Sequence, residues 1–436
     1  RDVTPHLNRM PSARRALRAL HRNREAVRAA GKRSAPVEFS IGDRQPFNVY
    51  HIENEEWIED VSFVLKAKSP RIYLWVEKTE LDSNHVRDRD VDSLHAALTE
   101  RTPEGSYDPN QGIVANDEEI FGRPSDVDGN DRVHVLLTDV EDGREQGSNE
   151  PFVAGFFFGA DLDTSPDAEG NGAEVIYLDT QPGIFTDDGV HRVTPEVQAT
   201  AAQEYQHLIH ARYDPDERTF VNEGQSEWAE ILNGYAPRPA RYLKSPSDSI
   251  GYNVSLFRWR GENRDRVLFD YQRAGLWTHY LAEQIGPKAT GAITRMEENG
   301  RDGYEAAFQA AGTGRTFTEL LEEFHTANYL NDRSIRSAFG YEAASRRQVR
   351  AEPSYRYDGR TDVETLPQTQ RVNPGAVQYF VWEHVRDLEL QLDAVTHGRR
   401  PDFRIRALLW TEDAETPSVQ TVDLRDAAHR FDGAVR

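Results

Sequence analysis

Gln203-Glu204-Tyr205-Gln206-His207 is the stretch that decides how this 436-residue chain is read. Residues four apart on a helix share a face, so Gln203 and His207 line up with Glu204 beside them. The surroundings favour a helix. Thr194-Pro195-Glu196 offers a capping hydroxyl, a proline at the first helical position and an acid at the positive end of the dipole. Val197, Ala201, Leu208 and Ala211 supply an apolar stripe, and Asp214-Pro215-Asp216 ends it. A second helix follows at Asn222-Glu223-Gly224-Gln225-Ser226-Glu227-Trp228-Ala229-Glu230, with Glu223 and Glu227 on one face.

One substitution separates the first motif from H-E-x-x-H, in which two histidines on one helix face bind zinc and the glutamate serves the attacking water. Glu204 and His207 match; Gln203 stands where the first histidine belongs. The paired helices resemble those of the gluzincin metallopeptidases, most closely the hyicolysin-type secreted bacterial branch. That branch reads H-E-F/Y-Q-H-L-I and then N-E-G-x-S-E. Weaker resemblances lie at Asp126–Asn130, Ala173–Asp179 and Phe317–Asp332, so the likeness covers roughly residues 40 to 390.

The resemblance implies an α+β fold: a zincin-like domain with a mixed sheet, an active-site helix and a helical lower lobe, plus an appended β-rich C-terminal module. It implies zinc held by His207, Glu223 and the residue at 203, with Glu204 as general base. Glu227 and Gln225 would lie just behind the ligands. It also implies a protein or peptide substrate and a secreted or cell-surface location. A glutamine carbonyl is a neutral, hard donor, far poorer for zinc than imidazole. Three readings follow. In the first, the chain keeps the fold for a binding, structural or adhesive role, with zinc-dependent proteolysis impaired or lost. In the second, it is a working zinc endopeptidase with Gln203 as a weak ligand or a replacement histidine, His210 being nearest. In the third, these are ordinary amphipathic helices. His210 itself reads as a charge at the helix end. Gln225 is expected either to pair with Gln203 or to be a plain amide. Tyr271, His279 and Tyr280 read as packing on an aromatic helix.

Asp126, Asp128 and Asn130 place oxygens at alternate positions, a pattern that suits calcium but lacks the distal glutamate of a full loop. The plainer reading is an Asp-Gly turn. Asp161, Asp163 and Asp167 read as a solvated loop.

The net charge is −22. Residues 1–34 run against it, with ten basic residues facing only Asp2 and Glu25. Residues 11–30 read as one arginine-rich helix, either a pro-segment lying on the acidic body or a solvated arm. Only six residues are lysine, a composition shared by salt-adapted proteins and by arginine-rich codon usage. The acidic body argues against nucleic acid. There is no cysteine, so disulfides and thiolate metal sites are excluded. No apolar run approaches a membrane span, and no internal repeat is visible. The expected organisation is a basic arm at 1–34 and a peptidase domain at 35–335, β-rich to 190 and helical after. A linker at 336–371 and a small β-domain at 372–436 complete it. The strand at Glu174–Asp179 is expected at the sheet edge, where an extended substrate would pair. Self-assembly is compatible with the structural reading.

Overall fold

The computed structural model describes residues 3–22, 37–145, 147–148, 150–191, 193–261, 263–361, 371–390, 404–411, 416–422 and 429–435. The arm expected at 1–34 therefore falls partly outside them. Its described part forms two helices, Thr4–Leu7 and Pro11–Arg22.

The chain divides into two compact units, one of residues 1–239 and 259–315, the other of 240–258 and 316–436. The first holds a six-stranded mixed sheet in the order β1-β2-β3-β4-β6-β5. The strands are β1 (Arg44–His51), β2 (Glu56–Lys68), β3 (Ile72–Glu77), β4 (Val133–Thr138), β5 (Gly155–Phe156) and β6 (Val175–Asp179). β3, β4 and β6 run parallel; β1, β2 and β5 pair antiparallel with their neighbours.

The three parallel strands are covered on both faces, which is why they read as near-continuous apolar runs. Alternation still sorts their side chains. Ile72, Leu74, Val133, Val135, Ile176 and Leu178 face one core, shared with the helix Pro195–Tyr213. Tyr73, Trp75, Leu136, Val175 and Tyr177 face a second core, shared with Val3, Leu7 and Ala13 of the arm. β6 is an inner strand. The edge beside it is β5, two residues long, so the expected edge position of Glu174–Asp179 is corrected. The sequence hid this because Phe152–Phe158 reads as one strand but pairs only at Gly155 and Phe156.

In the second unit, Thr316 opens the helix Phe317–Leu330 with a capping box, as its sequence predicts. Leu330, Ala338 and Phe339 cluster with Leu408, Trp410 and Val419, and Arg406 donates to Thr326 Oγ1 at 2.7 Å. These contacts tie residues 316–351 to the C-terminal strands. The compact units therefore divide elsewhere than the linear reading expects, and the stretch expected as a linker carries the buried Ala338, Phe339, Tyr341 and Val349. The described strands of this unit pair two by two: β7 (Tyr355–Asp358) with β8 (Phe380–Glu383), β9 (Val385–Leu390) with β12 (His429–Val435), and β10 (Ile405–Leu409) with β11 (Ser418–Val422).

Candidate metal centre

The first helix of the site runs Pro195–Tyr213, capped by Thr194, whose hydroxyl accepts from Val197 N. It is buried along nearly its whole length, and Tyr205 anchors it by donating to Glu118 Oε1 at 2.8 Å. Gln203, Glu204 and His207 are 5%, 2% and 2% exposed, so all three lie in the interior. The second helix runs Thr219–Leu232. Gly224 explains how closely it packs on the helix Arg264–Ile285. A Cβ there would lie 2.7 Å from Thr278 Oγ1 and 3.2 Å from the Ala274 carbonyl.

The two helices bring His207 and Glu223 together. His207 Nε2 lies 3.5 Å from Glu223 Oε2, with both side chains buried. Two ligand atoms on one tetrahedral zinc stand about 3.3 Å apart, from ion–ligand distances of about 2.0–2.1 Å. The other ring nitrogen faces Asn222 Oδ1 at 2.6 Å. An amide oxygen only accepts, so Nδ1 carries the proton. A neutral ring then turns the Nε2 lone pair toward a carboxylate, an arrangement that needs a cation between the two. Buried His207 Nε2 makes no hydrogen bond. These two donors fit zinc. Gln203, one turn earlier on the first helix, is buried too, and an amide oxygen is a weak donor for zinc.

Other sequence-picked residues fall elsewhere. Gln225 is fully buried and donates to the Thr290 carbonyl at 3.3 Å; among the described contacts it has none with Gln203. Glu227 accepts from Arg238 Nε at 2.7 and 2.8 Å, and so pairs with an arginine. His210 is 0% exposed, and neither ring nitrogen makes a hydrogen bond. Burial, then the charge of His207, pushes its pKa down to about 3. It is a neutral interior residue, which corrects the reading of a charged helix end. His279 pairs with Glu283 at 3.0 Å, Tyr271 packs edge-on against Trp259, and Tyr280 is buried, as packing residues would be.

Thr4 enters the site unannounced by any local pattern. Its hydroxyl donates to Glu204 Oε2 at 2.9 Å and accepts from Phe157 N, at the end of β5, at 3.1 Å. Asn8 follows the same edge, accepting from Gly159 N at 2.7 Å and donating to the Phe157 carbonyl at 3.4 Å. Arg9 reaches Thr219 Oγ1 at 2.7 Å. Leu7, Leu17 and Leu20 are buried, and Gly159 makes room for Leu17, whose side chain lies 2.8 Å from where a Cβ would stand. Nothing local in 3–22 signals these partners, because they lie some 150 to 210 residues away.

The Asn130 side chain is held within its own turn. Its Oδ1 accepts from Arg132 N at 2.6 Å, and its amide nitrogen turns to Asp128. The group that assembles is Asp126, Asp128 and Glu174. Asp161, expected in a solvated loop, is fully buried and accepts from Asn171 and Tyr177.

A mixed sheet backed by two helices that join an imidazole to a carboxylate is consistent with a metallopeptidase domain, and similarity to a known protein supports that family. The chain is 32% identical over 267 residues to neutral metalloprotease ShpI of Staphylococcus hyicus, covering 59% of this chain and 55% of the relative. It thus spans about half the length of that curated relative. No protein-family model matches the chain. No helix among the described residues is long and apolar enough to cross a membrane.

Proposed function

We propose that this chain is a metallopeptidase-family protein in which zinc-dependent proteolysis is impaired or lost. The observation that carries the reading is Gln203, which puts an amide in the place of an imidazole one turn before His207. Zinc held by His207 Nε2, a Glu223 oxygen and the Gln203 carbonyl would supply Lewis acidity and acidify a bound water. Asn222 orients His207 for that role. Glu204 is the residue to take a proton from a water attacking a peptide carbonyl. A protein or peptide ligand, and a place outside the cell, rest on the resemblance to secreted metallopeptidases. The second reading, an active enzyme, is favoured by the surviving His207–Glu223 pair with its orienting Asn222.

The measurement is zinc content after equilibration in zinc-containing buffer, together with casein hydrolysis. Little zinc and no hydrolysis in the wild type, with both restored in Gln203→His, are expected. The gain in zinc affinity should exceed about 100-fold, since a first ligand matters more than the outer partners worth about 10–100-fold. One zinc per chain with casein hydrolysis in the wild type would overturn the impaired reading in favour of the active enzyme.

Residues 3–22 belong to this proposal as a cover over the site. The Thr4 hydroxyl engages the carboxylate that must otherwise take a proton, occupying one of its two oxygens. Charge contributes to docking through Arg15 and Asp163, but exposed pairs are worth little. The buried leucines are worth roughly 1.5–3 kcal/mol each, so salt alone will not lift the arm. In Gln203→His, adding Leu17→Asp should unseat the arm, making it cleavable by trypsin at its arginines, and raise casein hydrolysis. Trypsin sensitivity without a gain in hydrolysis would mean that the arm is seated there without restraining the base.

A further inference from the structure

The turn between Gly122 and β4 carries Asp126 and Asp128, and the residue just before β6 is Glu174. One carboxylate oxygen from each lies within 4.8 Å of the others. Glu174 lies 46 residues beyond Asp128 and 48 beyond Asp126 in sequence, and it meets them only because β4 and β6 are parallel neighbours. His134 N donates to the Glu174 carbonyl at 2.7 Å, fixing the two strand entries together.

Glu174 distinguishes this cluster from an ordinary acidic turn. It is 1% exposed. Its Oε1 accepts from Val127 N at 2.9 Å, whereas its Oε2 is buried and makes no hydrogen bond of normal geometry. The adjacent Ser125 hydroxyl is also buried; it lies near enough to favour the charged form of Glu174, yet it makes no hydrogen bond of normal geometry and brings no positive charge. A buried carboxylate aimed at two others is unstable by itself, because burial and like charge both oppose ionisation. Here burial, then Asp128, pushes the Glu174 pKa up to about 8.

The nearby cations do not relieve it. Arg71 and Arg123 pair with Glu118 and Asp131, and Arg132 reaches Glu38. His134 Nε2 lies 3.5 Å from Asp128, but Trp75 Nε1 donates to His134 Nδ1, so the neutral ring already carries its proton on the Asp128 side. Among the described residues, no lysine or arginine is paired with Asp126, Asp128 or Glu174. Asp126 Oδ1 and Asp128 Oδ1 each accept one backbone N–H of their own turn, from Asp131 at 2.8 Å and Asn130 at 3.1 Å. The second oxygen of Asp126 is a further donor, and that of Asp128 also accepts from the Asn130 amide nitrogen and faces His134 Nε2 at 3.5 Å.

We propose that Asp126, Asp128 and Glu174 form a divalent-cation site selective for calcium, which clamps the entry of β4 to the entry of β6. All donors are hard carboxylate oxygens, and their spread fits a shell with about 2.3–2.6 Å from ion to oxygen. Glu174 takes the place of the distal glutamate that the local pattern lacks. The site rests on no assumption about zinc at His207 and Glu223.

The test uses the full chain after dialysis against EGTA, titrated with calcium chloride alone and, separately, magnesium chloride alone. Binding is followed by calorimetry and by thermal unfolding. One calcium per chain should bind and raise Tm, with magnesium weaker. Glu174→Gln should lose more than about tenfold in calcium affinity and lose the calcium-dependent rise. Its metal-free Tm should equal or exceed the wild-type value, because an uncompensated buried acid has become neutral. Asp128→Asn should show the same loss of calcium response. Asp161→Asn, at a different buried acid, should keep it. The proposal fails if the wild type shows neither heat nor a Tm change at millimolar calcium, or if Glu174→Gln and Asp128→Asn respond as the wild type does.

Discussion

Two buried glutamates in the first unit differ in what surrounds them. At the helix pair, Glu223 faces the His207 imidazole at 3.5 Å, and the imidazole is held from behind by Asn222. At the strand entries, Glu174 faces two more acids. A mixed nitrogen and oxygen set suits zinc, whereas a purely carboxylate set suits calcium. Asp161 is a control for both. It is as buried as either glutamate, yet Asn171 N, Asn171 Nδ2 and the Tyr177 hydroxyl donate to it at 3.1, 2.6 and 3.0 Å. Its need is met by the protein alone. The difference teaches that burial does not mark a metal site; what marks one is a buried acid whose neighbours are other ligands.

The largest effect that sharpens this contrast is expected at Asn222. In the Gln203→His background, Asn222→Ala frees the His207 ring to rotate and to change tautomer. Zinc affinity should fall by about 10–100-fold, the usual scale for a partner that orients a ligand. The calcium response at Glu174 should not change, since Asn222 contacts none of its acids among the described residues. Competition with a chromophoric zinc chelator measures the first, and the calcium-dependent Tm measures the second. An unchanged zinc affinity would mean that the 2.6 Å contact does not orient the ring.

The two centres were unequally legible in the sequence for a physical reason. Gln203, Glu204, His207 and Glu223 lie on two consecutive helices, and helical periodicity alone puts the spaced pair Gln203 and His207 on one face. A local pattern could therefore find them. The acidic turn showed only Asp126 and Asp128, and alternation promoted Asn130, whose carbonyl turned out to serve its own turn. Glu174 was invisible because strand order, not spacing, brings it there. Thr4 was hidden for the same reason, reaching Glu204 from 200 residues away. The edge strand was misread because a run of three phenylalanines looks longer than the two residues that pair. Periodicity predicts which way a side chain points along its own element, and tertiary pairing decides whom it meets.

An effect on stability rather than on affinity tests the control. Burial raises the Asp161 pKa from 3.8 to about 7, against the lowering effect of its Asn171 and Tyr177 donors. An acid whose folded-state pKa exceeds its unfolded value binds a proton more tightly when folded. Its contribution is therefore fully present below about pH 4 and is lost as the pH rises through about 7. In Asp161→Asn the side-chain oxygen can still accept from Asn171, and the amide can donate to Tyr177, whose hydroxyl then turns to the Asn48 carbonyl 3.2 Å away. The variant and the wild type should melt at similar temperatures near pH 4. The variant should gain by a few degrees as the pH approaches 8, an advantage of at most about 4 kcal/mol at 1.36 kcal/mol per pKa unit. Thermal unfolding of both proteins across that range, in EGTA so that calcium does not intervene, measures the gap. A gap that stays constant from pH 4 to 8 would show Asp161 ionised throughout. Three donors would then be enough to hold a buried charge, and the unmet need of Glu174 would be the feature that sets it apart, rather than its burial.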